Sequence, residues 1–285
     1  MARRGSRNGD NDRHMTTDGE TSQQPEPEEI WRGILMGTDP RFRKARALFK
    51  HLPREPRCKM CAVPFAGPIA SVMRMRGRGR WSKNPKYCGV CFSVMSHARG
   101  GAEIPCTLLF ADVRGSTELA ERITPREFSR LLNRFYDTAG RILVENDGIV
   151  DKFVGDEVMA IFIPALVQER HAARAVAAAT QILRGVGQLA GEGDEALLIG
   201  IGIHTGDAFV GAVGEAPHTE LTALGDVVNT AARLASAAGA GEILVSREAA
   251  DAGGLEIGPL EHRSLELKGK SAPTDVVVLI AATAS

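Results

Sequence analysis

The sequence predicts an α+β fold, a ferredoxin-like β-α-β-β-α-β core with additional strands after it, preceded by a small cysteine-ligated module. Three observations carry this expectation. An apolar run ending in an aspartate precedes a capped amphipathic helix. Two further apolar runs then flank a Gly-Asp turn. Four of the five cysteines fall in two Cys-x2-Cys pairs ahead of all of these.

The composition, 44% apolar and 25% charged over 285 residues, excludes whole-chain disorder, a collagen-like fibre and a coiled-coil rod. No stretch approaches the roughly 20 apolar residues that span a bilayer. The amino terminus is polar, without an apolar signal region, so a soluble, cytoplasmic protein with no membrane partner is expected. The formal charge of zero conceals an asymmetry. Residues 1–103 carry 20 basic and 10 acidic side chains, leaving 35 − 20 = 15 basic and 35 − 10 = 25 acidic for the remainder.

Residues 1–29 have almost nothing to bury, so ordering them would cost entropy without compensation and a disordered tail is expected. Residues 30–104 combine a helical segment with the cysteine module. Ile30, Ile34, Phe42, Ala45, Leu48 and Phe49 mark the helical positions, interrupted at Asp39-Pro40, and Gly100-Gly101 reads as a linker. Residues 105–285 form the third unit. Thr107 to Ala111 is a buried strand with Asp112 at its carboxyl end. Thr124, Pro125 and Glu127 supply an N-cap, a first-turn proline and a capping-box partner. Phe128, Leu131, Leu132, Phe135, Ala139, Ile142 and Leu143 then give that helix one apolar face. Ile149–Phe153 and Val158–Ile163 are strands about a tight turn with Asp156 near its tip. Gln168–Val186 is a helix, Leu197–His204 and Ala208–Val213 are two strands, and Asp226–Ala238 is a helix.

Asp112 and Asp156 converge if their strands are neighbours, which would make an all-oxygen site for Mg2+ or Mn2+ beside substrate phosphates. On spacing alone, a capping role for Asp112 and a turn role for Asp156 explain the residues equally well. The Arg114-Gly115-Ser116-Thr117 string opens the next helix, whose free amides suit phosphate oxygens.

Five strings recur in order: Phe110-Ala111-Asp112-Val113-Arg114-Gly115-Ser116-Thr117, Lys152-Phe153-Val154-Gly155-Asp156, Gly202-Ile203-His204-Thr205-Gly206, Gly225-Asp226-Val227-Val228-Asn229-Thr230-Ala231-Ala232-Arg233-Leu234, and Leu267-Lys268-Gly269-Lys270. Together, from Pro105 to Ala281, the chain resembles the catalytic domain of class III adenylate/guanylate cyclases, of the bacterial adenylate cyclase type. The resemblance implies two divalent ions per active site, Mg2+ or Mn2+, held by Asp112 and Asp156. It implies that Lys152 and Thr222 read the purine, and a lysine with a threonine suits adenine. Gly115, Ser116 and Thr117 would bind substrate. Asn229 and Arg233 would orient the ribose and stabilise charge on the α-phosphate, and Lys268, with Lys270 nearby, would meet the terminal phosphates.

In that family the site spans a head-to-tail pair, with metal and adenine residues from one subunit and the Asn/Arg pair from the other. A homodimeric adenylate cyclase, turning ATP into 3′,5′-cyclic AMP and pyrophosphate, is therefore expected, and a monomer should be inactive. A guanylate cyclase and a catalytically silent cyclase-like dimerisation or regulatory domain are the alternatives. A diguanylate cyclase shares the Gly-Asp-Glu hairpin but gives no reason for the Asn229/Arg233 string. The loop Gly214–Thr219 departs from the family pattern, and His204 and Cys106 are expected to pack in the core.

Cys58, Cys61, Cys88 and Cys91 form two pairs separated by residues 62–87, and a structural zinc is expected there. An iron-sulfur cluster or a redox-active dithiol is the alternative. Arg74, Arg76, Arg78, Arg80, Lys83 and Lys86, with Trp81 and Tyr87, could form a basic, aromatic surface for nucleic acid. The simpler expectation is that this segment neutralises the acidic domain or is a solvated loop. A sensing module would act by changing how two protomers meet.

Overall fold

The computed structural model describes residues 26–52, 56–82, 85–97, 100–189, 197–214 and 220–280. The expected disordered tail falls, for residues 1–25, outside the described residues, as does most of the departing loop, at 215–219. Helix α1 (Pro27–Leu35) starts inside the segment read as tail, with a proline in its first turn, Glu28 and Glu29 beside it and Trp31, Ile34 and Leu35 buried. Helix α2 (Pro40–Phe49) follows an N-cap, Asp39, whose carboxylate accepts from the Arg41 backbone at 2.7 Å. Helices α3 (Pro68–Met73) and α4 (Gly89–His97) complete the amino-terminal part.

Strand β1 (Gly100–Val113) leads to α5 (Ser116–Arg122) and α6 (Pro125–Glu145), and the capping box of Thr124 and Glu127 opens α6 as its sequence predicts. Then come β2 (Ile149–Val154), β3 (Glu157–Phe162), α7 (Pro164–Val167), α8 (His171–Gly187), β4 (Ile199–Val213) and β5 (Glu220–Leu224). The chain continues through α9 (Asp226–Ala237), β6 (Glu242–Ser246), α10 (Arg247–Gly253), β7 (Glu261–Leu265) and β8 (Thr274–Ile280). One eight-stranded sheet runs β2-β3-β1-β4-β6-β8-β7, with β5 also paired to β4. The β4/β6 pair is parallel and the others antiparallel, so the sheet is mixed and the predicted α+β class holds. Among the described residues no helix is long and apolar enough to cross a membrane.

Strand β1 is apolar on successive residues because both of its faces are covered. Leu109 and Ala111 face α6 and α8, packing with Phe135, Leu143, Ala179 and Ile182. Leu108 and Phe110 face the other way, into a core that holds Trp31, Leu35, Tyr87, Phe92 and the four cysteines of the two pairs together with Ala231 and Ala235 of α9.

Three expectations are corrected here. Gly100 and Gly101 are not a linker but the start of β1, paired with Ala212 and Gly211. A Cβ on Gly101 would lie 2.6 Å from the Val210 carbonyl, so glycine is needed there for close strand approach. The boundary expected after residue 104 consequently falls inside a strand. The two strands expected at 197–204 and 208–213 are one, β4, because Thr205, Gly206 and Asp207 continue the ladder opposite Thr107, Cys106 and Pro105 in turn. Helix α8 begins at His171 rather than Gln168, whose φ of 57° cannot belong to a right-handed helix.

Candidate functional site

Asp112 ends β1 and Asp156 sits at the β2–β3 tip, and the Val113 amide donates to the Asp156 carbonyl at 3.1 Å. The strands are neighbours, with Asp112 opposite Glu157, so the two aspartates share a corner. The capping alternative does not account for Asp112, because α5 is capped by Gly115 at φ 66° with no side-chain cap, whereas Asp156 does occupy the turn. The Arg114 guanidinium bonds the Asp112 carboxylate and donates to the Ser236 and Ala238 carbonyls at 3.0 and 3.3 Å. Burial pushes Arg114 down, while the charges of Asp156 and Glu157 favour its protonated form. Burial and the Asp156 charge push the Glu157 carboxyl up. Three carboxylates around one guanidinium make an oxygen-rich, negatively charged corner, and hard oxygen donors of this kind fit Mg2+ or Mn2+. Tyr136 of α6 donates its hydroxyl to the Gly155 carbonyl and packs on Phe153 with ring centroids 4.7 Å apart, fixing the tip that presents Asp156.

Lys152 and Thr222 lie far apart in sequence, yet both meet Asp151. Thr222, buried on β5, donates to Asp151 Oδ2 at 2.7 Å, and Lys152 Nζ lies 3.7 Å from the same oxygen. A register shift between Val150 and Lys152 makes Asp151 the extra residue of a β-bulge. Burial pushes its carboxyl up, and Thr222 and Lys152 act in the opposite sense.

Asn229 and Arg233 lie on α9, whose other face packs into Gly202: a Cβ there would lie 2.4 Å from the Ala231 carbonyl. Asn229 is exposed and Arg233 half-buried. Asp112 reaches the carboxyl end of α9 through Arg114, whereas Asn229 lies seven residues before Ser236, about 10 Å along the helix. Gly269 sits against Arg233, its Cβ position 3.3 Å from Nη2, so the loop carrying Lys268 borders that guanidinium. Lys268 is exposed. Lys270 is instead ion-paired to Asp226 at the start of α9, which holds that residue's carboxyl below the usual carboxylate range. Ser116 is half-buried and Thr117 exposed at the start of α5, next to Gly115.

The four cysteines 58, 61, 88 and 91 are buried, unpaired as disulfides, and have all their sulfurs within 4.8 Å of one another. Cys58 and Cys91 sulfurs are 3.9 Å apart and those of Cys61 and Cys88 3.7 Å. A tetrahedron with zinc–sulfur bonds of about 2.3 Å has edges of about 3.8 Å, so the spacing fits one tetrahedral ion. The thiols split in acidity, Cys58 held down by hydrogen bonds from Cys61, Cys88 and Cys91, and Cys61 and Cys91 pushed up by bonds to their neighbours. The Cys58 sulfur also accepts from the Cys88 amide at 3.3 Å, and Arg78 donates to the Cys61 sulfur at 3.8 Å. Tyr87 is fully buried and Trp81 stacks on Phe92 at 3.9 Å, so the aromatic residues of the basic segment serve the module's own packing. Lys59 and Lys86 of the module both pair with Asp147, in the α6–β2 turn.

The sequence profile of the adenylate and guanylate cyclase catalytic domain matches residues 102–279, well over half of the chain. The chain belongs to this family. It is 32% identical to an adenylate cyclase of Anabaena cylindrica over 136 residues, covering 45% of this chain and 26% of that protein. It is likewise 32% identical over 181 residues to the terminal-differentiation specific adenylate cyclase of Dictyostelium discoideum, covering 61% of this chain and 8% of that protein. It thus spans about a quarter or less of the length of these curated relatives. Among solved structures it resembles the guanylyl cyclase Cya2 with a TM-score of 0.59 and 31% identity, over 63% of this chain and 93% of that one. It resembles the adenylyl cyclase CyaB from P. aeruginosa with a TM-score of 0.57 and 31% identity, over 64% and 96%.

Within this cyclase domain, sequence reasoning did not single out Asp151, Tyr136 or Asp147. Asp151 adjoins Lys152 in the chain, which is the one signal that could have found it. Tyr136 and Asp147 act through backbone and long-range contacts that leave no local pattern.

Proposed function

We propose that this chain is an adenylate cyclase that converts ATP to 3′,5′-cyclic AMP and pyrophosphate in a homodimer. The observation that carries the adenylate reading is the meeting of Lys152 and Thr222 at Asp151. Lys152 would donate to an adenine ring nitrogen and Thr222 would accept from the exocyclic amine. Asp112 and Asp156 would hold two divalent ions, which when bound lower the pKa of the ribose 3′-hydroxyl and offset the triphosphate charge. The 3′-oxygen would form its bond to the α-phosphorus as the bond from that phosphorus to the α,β-bridging oxygen breaks, pyrophosphate leaving with that oxygen and the hydroxyl proton passing to solvent water. Asn229 would orient the ribose, Arg233 would bind the charge growing on the α-phosphate, and Lys268 would hold the leaving pyrophosphate. Gly115, Ser116 and Thr117 would line the phosphate path.

The homodimer reading is supported by the placement of the residues. Asn229 is exposed on α9 about 10 Å of helix from the end that Arg114 ties to Asp112. Phe209 and Leu224, register partners on β4 and β5, are both exposed, an apolar pair suited to burial against a second copy. We further infer that the four cysteines hold a structural zinc, because their sulfur spacing fits a single tetrahedral ion. The iron-sulfur alternative places several irons between the thiolates and needs the sulfurs further apart.

The test is purified full-length protein with Mn2+ and either ATP or GTP, with cyclic nucleotide and pyrophosphate followed by chromatography. Cyclic AMP from ATP, with little cyclic GMP from GTP, is the expected result. Cyclic GMP as the main product would replace the adenylate reading with a guanylate one, and no product from either would favour a silent domain.

A further inference from the structure

Asp151 lies between the two residues assigned to the base. In the β2 bulge, Val150 faces Ala160 and Lys152 already faces Met159, so Asp151 is left without a register partner. A bulge of this kind re-aims a side chain. The Asp151 side chain is wholly buried. Its Oδ2 takes the Thr222 hydroxyl at 2.7 Å, and its Oδ1 is buried with no hydrogen-bond partner among the described residues.

With the Thr222 hydroxyl donating to Asp151, its proton is committed there and the hydroxyl oxygen has only lone pairs left for a ligand. Lys152 can only donate. The pair therefore offers one donor and one acceptor in a fixed order. Adenine presents a ring nitrogen that accepts and an exocyclic amine that donates. Guanine presents the reverse at both points, an N–H and a carbonyl oxygen. A threonine free to rotate could turn its proton toward that carbonyl and tolerate guanine.

We propose that Asp151 is a specificity-positioning residue: by taking the Thr222 proton it fixes that hydroxyl as an acceptor, which favours adenine and rejects guanine. The inference rests on the adenylate cyclase reading and deepens it.

The experiment compares kcat/KM for ATP and for GTP, with Mn2+, in the full-length wild-type protein, Asp151→Asn and Asp151→Ala. Asparagine can turn an amide N–H onto Thr222 and reverse the hydroxyl's polarity, and alanine releases it to rotate. The expected result is a fall of about tenfold or more in the ATP-to-GTP ratio for both variants. A role confined to holding β2 and β5 together would lower both nucleotides by the same factor, and an unchanged ratio would overturn the proposal while the adenylate reading stood. A wild-type protein that prefers GTP would instead overturn the adenylate reading. If turnover is too slow to measure, the same ratio is read from displacement of a fluorescent nucleotide by the α,β-methylene analogues of ATP and GTP. Circular dichroism and gel filtration confirm that each variant is folded.

Discussion

His171 and His204 show how single residues tie stability to pH in this cyclase domain. His171 Nδ1 shares a hydrogen bond with the Thr107 hydroxyl at 2.7 Å, and Thr107 in turn bonds Thr205 at 2.7 Å, so the contact joins α8 to β1 and β4. His204 Nδ1 meets the Ser246 hydroxyl at 2.7 Å, as a packed histidine would. Burial holds both imidazoles below their ordinary value of 6.5, so folding favours their neutral form. Below that value the unfolded chain binds more protons than the folded one. The stability from these groups is therefore complete above pH 6.5 and is lost as pH falls toward their depressed values. Thermal unfolding at pH 7.5 and pH 5.5 should show a lower Tm in acid, with a smaller difference in His171→Gln. An equal drop in both proteins would remove His171 from the account. Residues of this kind were partly legible: His204 was expected in the core and lies there, 8% exposed. The placements of Asp112, Asp156, Lys152 and Thr222 were readable because each sits in a motif or at a fixed offset from one. Asp151 was not, because its orientation depends on how β2 pairs with β3, which no local pattern specifies.

The turn between α6 and β2 is the element through which the cysteine module grips the catalytic domain. Asp147 occupies it at φ 66°, its side chain 5% exposed, with Lys59 and Lys86 on the carboxylate and Lys86 Nζ also donating to the Glu145 carbonyl at 2.6 Å. Lys59 lies within the first cysteine pair and Lys86 just before the second, so both pairs are fastened to the start of the strand that bears Asp151 and Lys152. The pair lies between an exposed ion pair, worth under about 1 kcal/mol, and a buried one, so its loss should cost about 2 kcal/mol. Asp147→Asn keeps a residue tolerant of the left-handed backbone. Urea denaturation should show that loss of stability, and a change within about 0.5 kcal/mol would mean the contact is only superficial. At this scale the helix with local punctuation was legible, because the α6 capping box is a contact within four residues. The continuity of β4 was not. Gly206 resembles a turn residue in sequence, but it sits opposite Cys106 in the ladder, where a Cβ would meet Val227 at 2.9 Å. Its absence of a side chain serves helix α9, not a change of direction.

For the whole molecule, one core includes both the cysteine cluster and the face of β1 that runs toward the candidate site at Asp112. Metal bound by the four thiolates should therefore stabilise the cyclase domain as well as the module, since an ion that binds only the folded chain lowers its free energy. Dialysis against a strong chelator, or Cys58→Ser, should lower the Tm of the entire chain in one cooperative transition. A separate early transition, with the cyclase unfolding at its original temperature, would show that the two parts melt independently. The sequence suggested two units because charge and cysteine usage change near residue 100, yet burial does not follow composition: Ile104, Cys106, Leu108 and Phe110 need a cover, and Trp31, Tyr87 and Phe92 belong to it. That shared surface has a consequence for ancestry. A module joined only by a flexible tether can be exchanged between genes as a cassette. Here a transplanted cyclase domain would arrive with part of one sheet face bare, and a transplanted module would lack the aspartate its lysines grip. Recombination at this junction would be punished by misfolding, so the two segments should be inherited together and diversify in step.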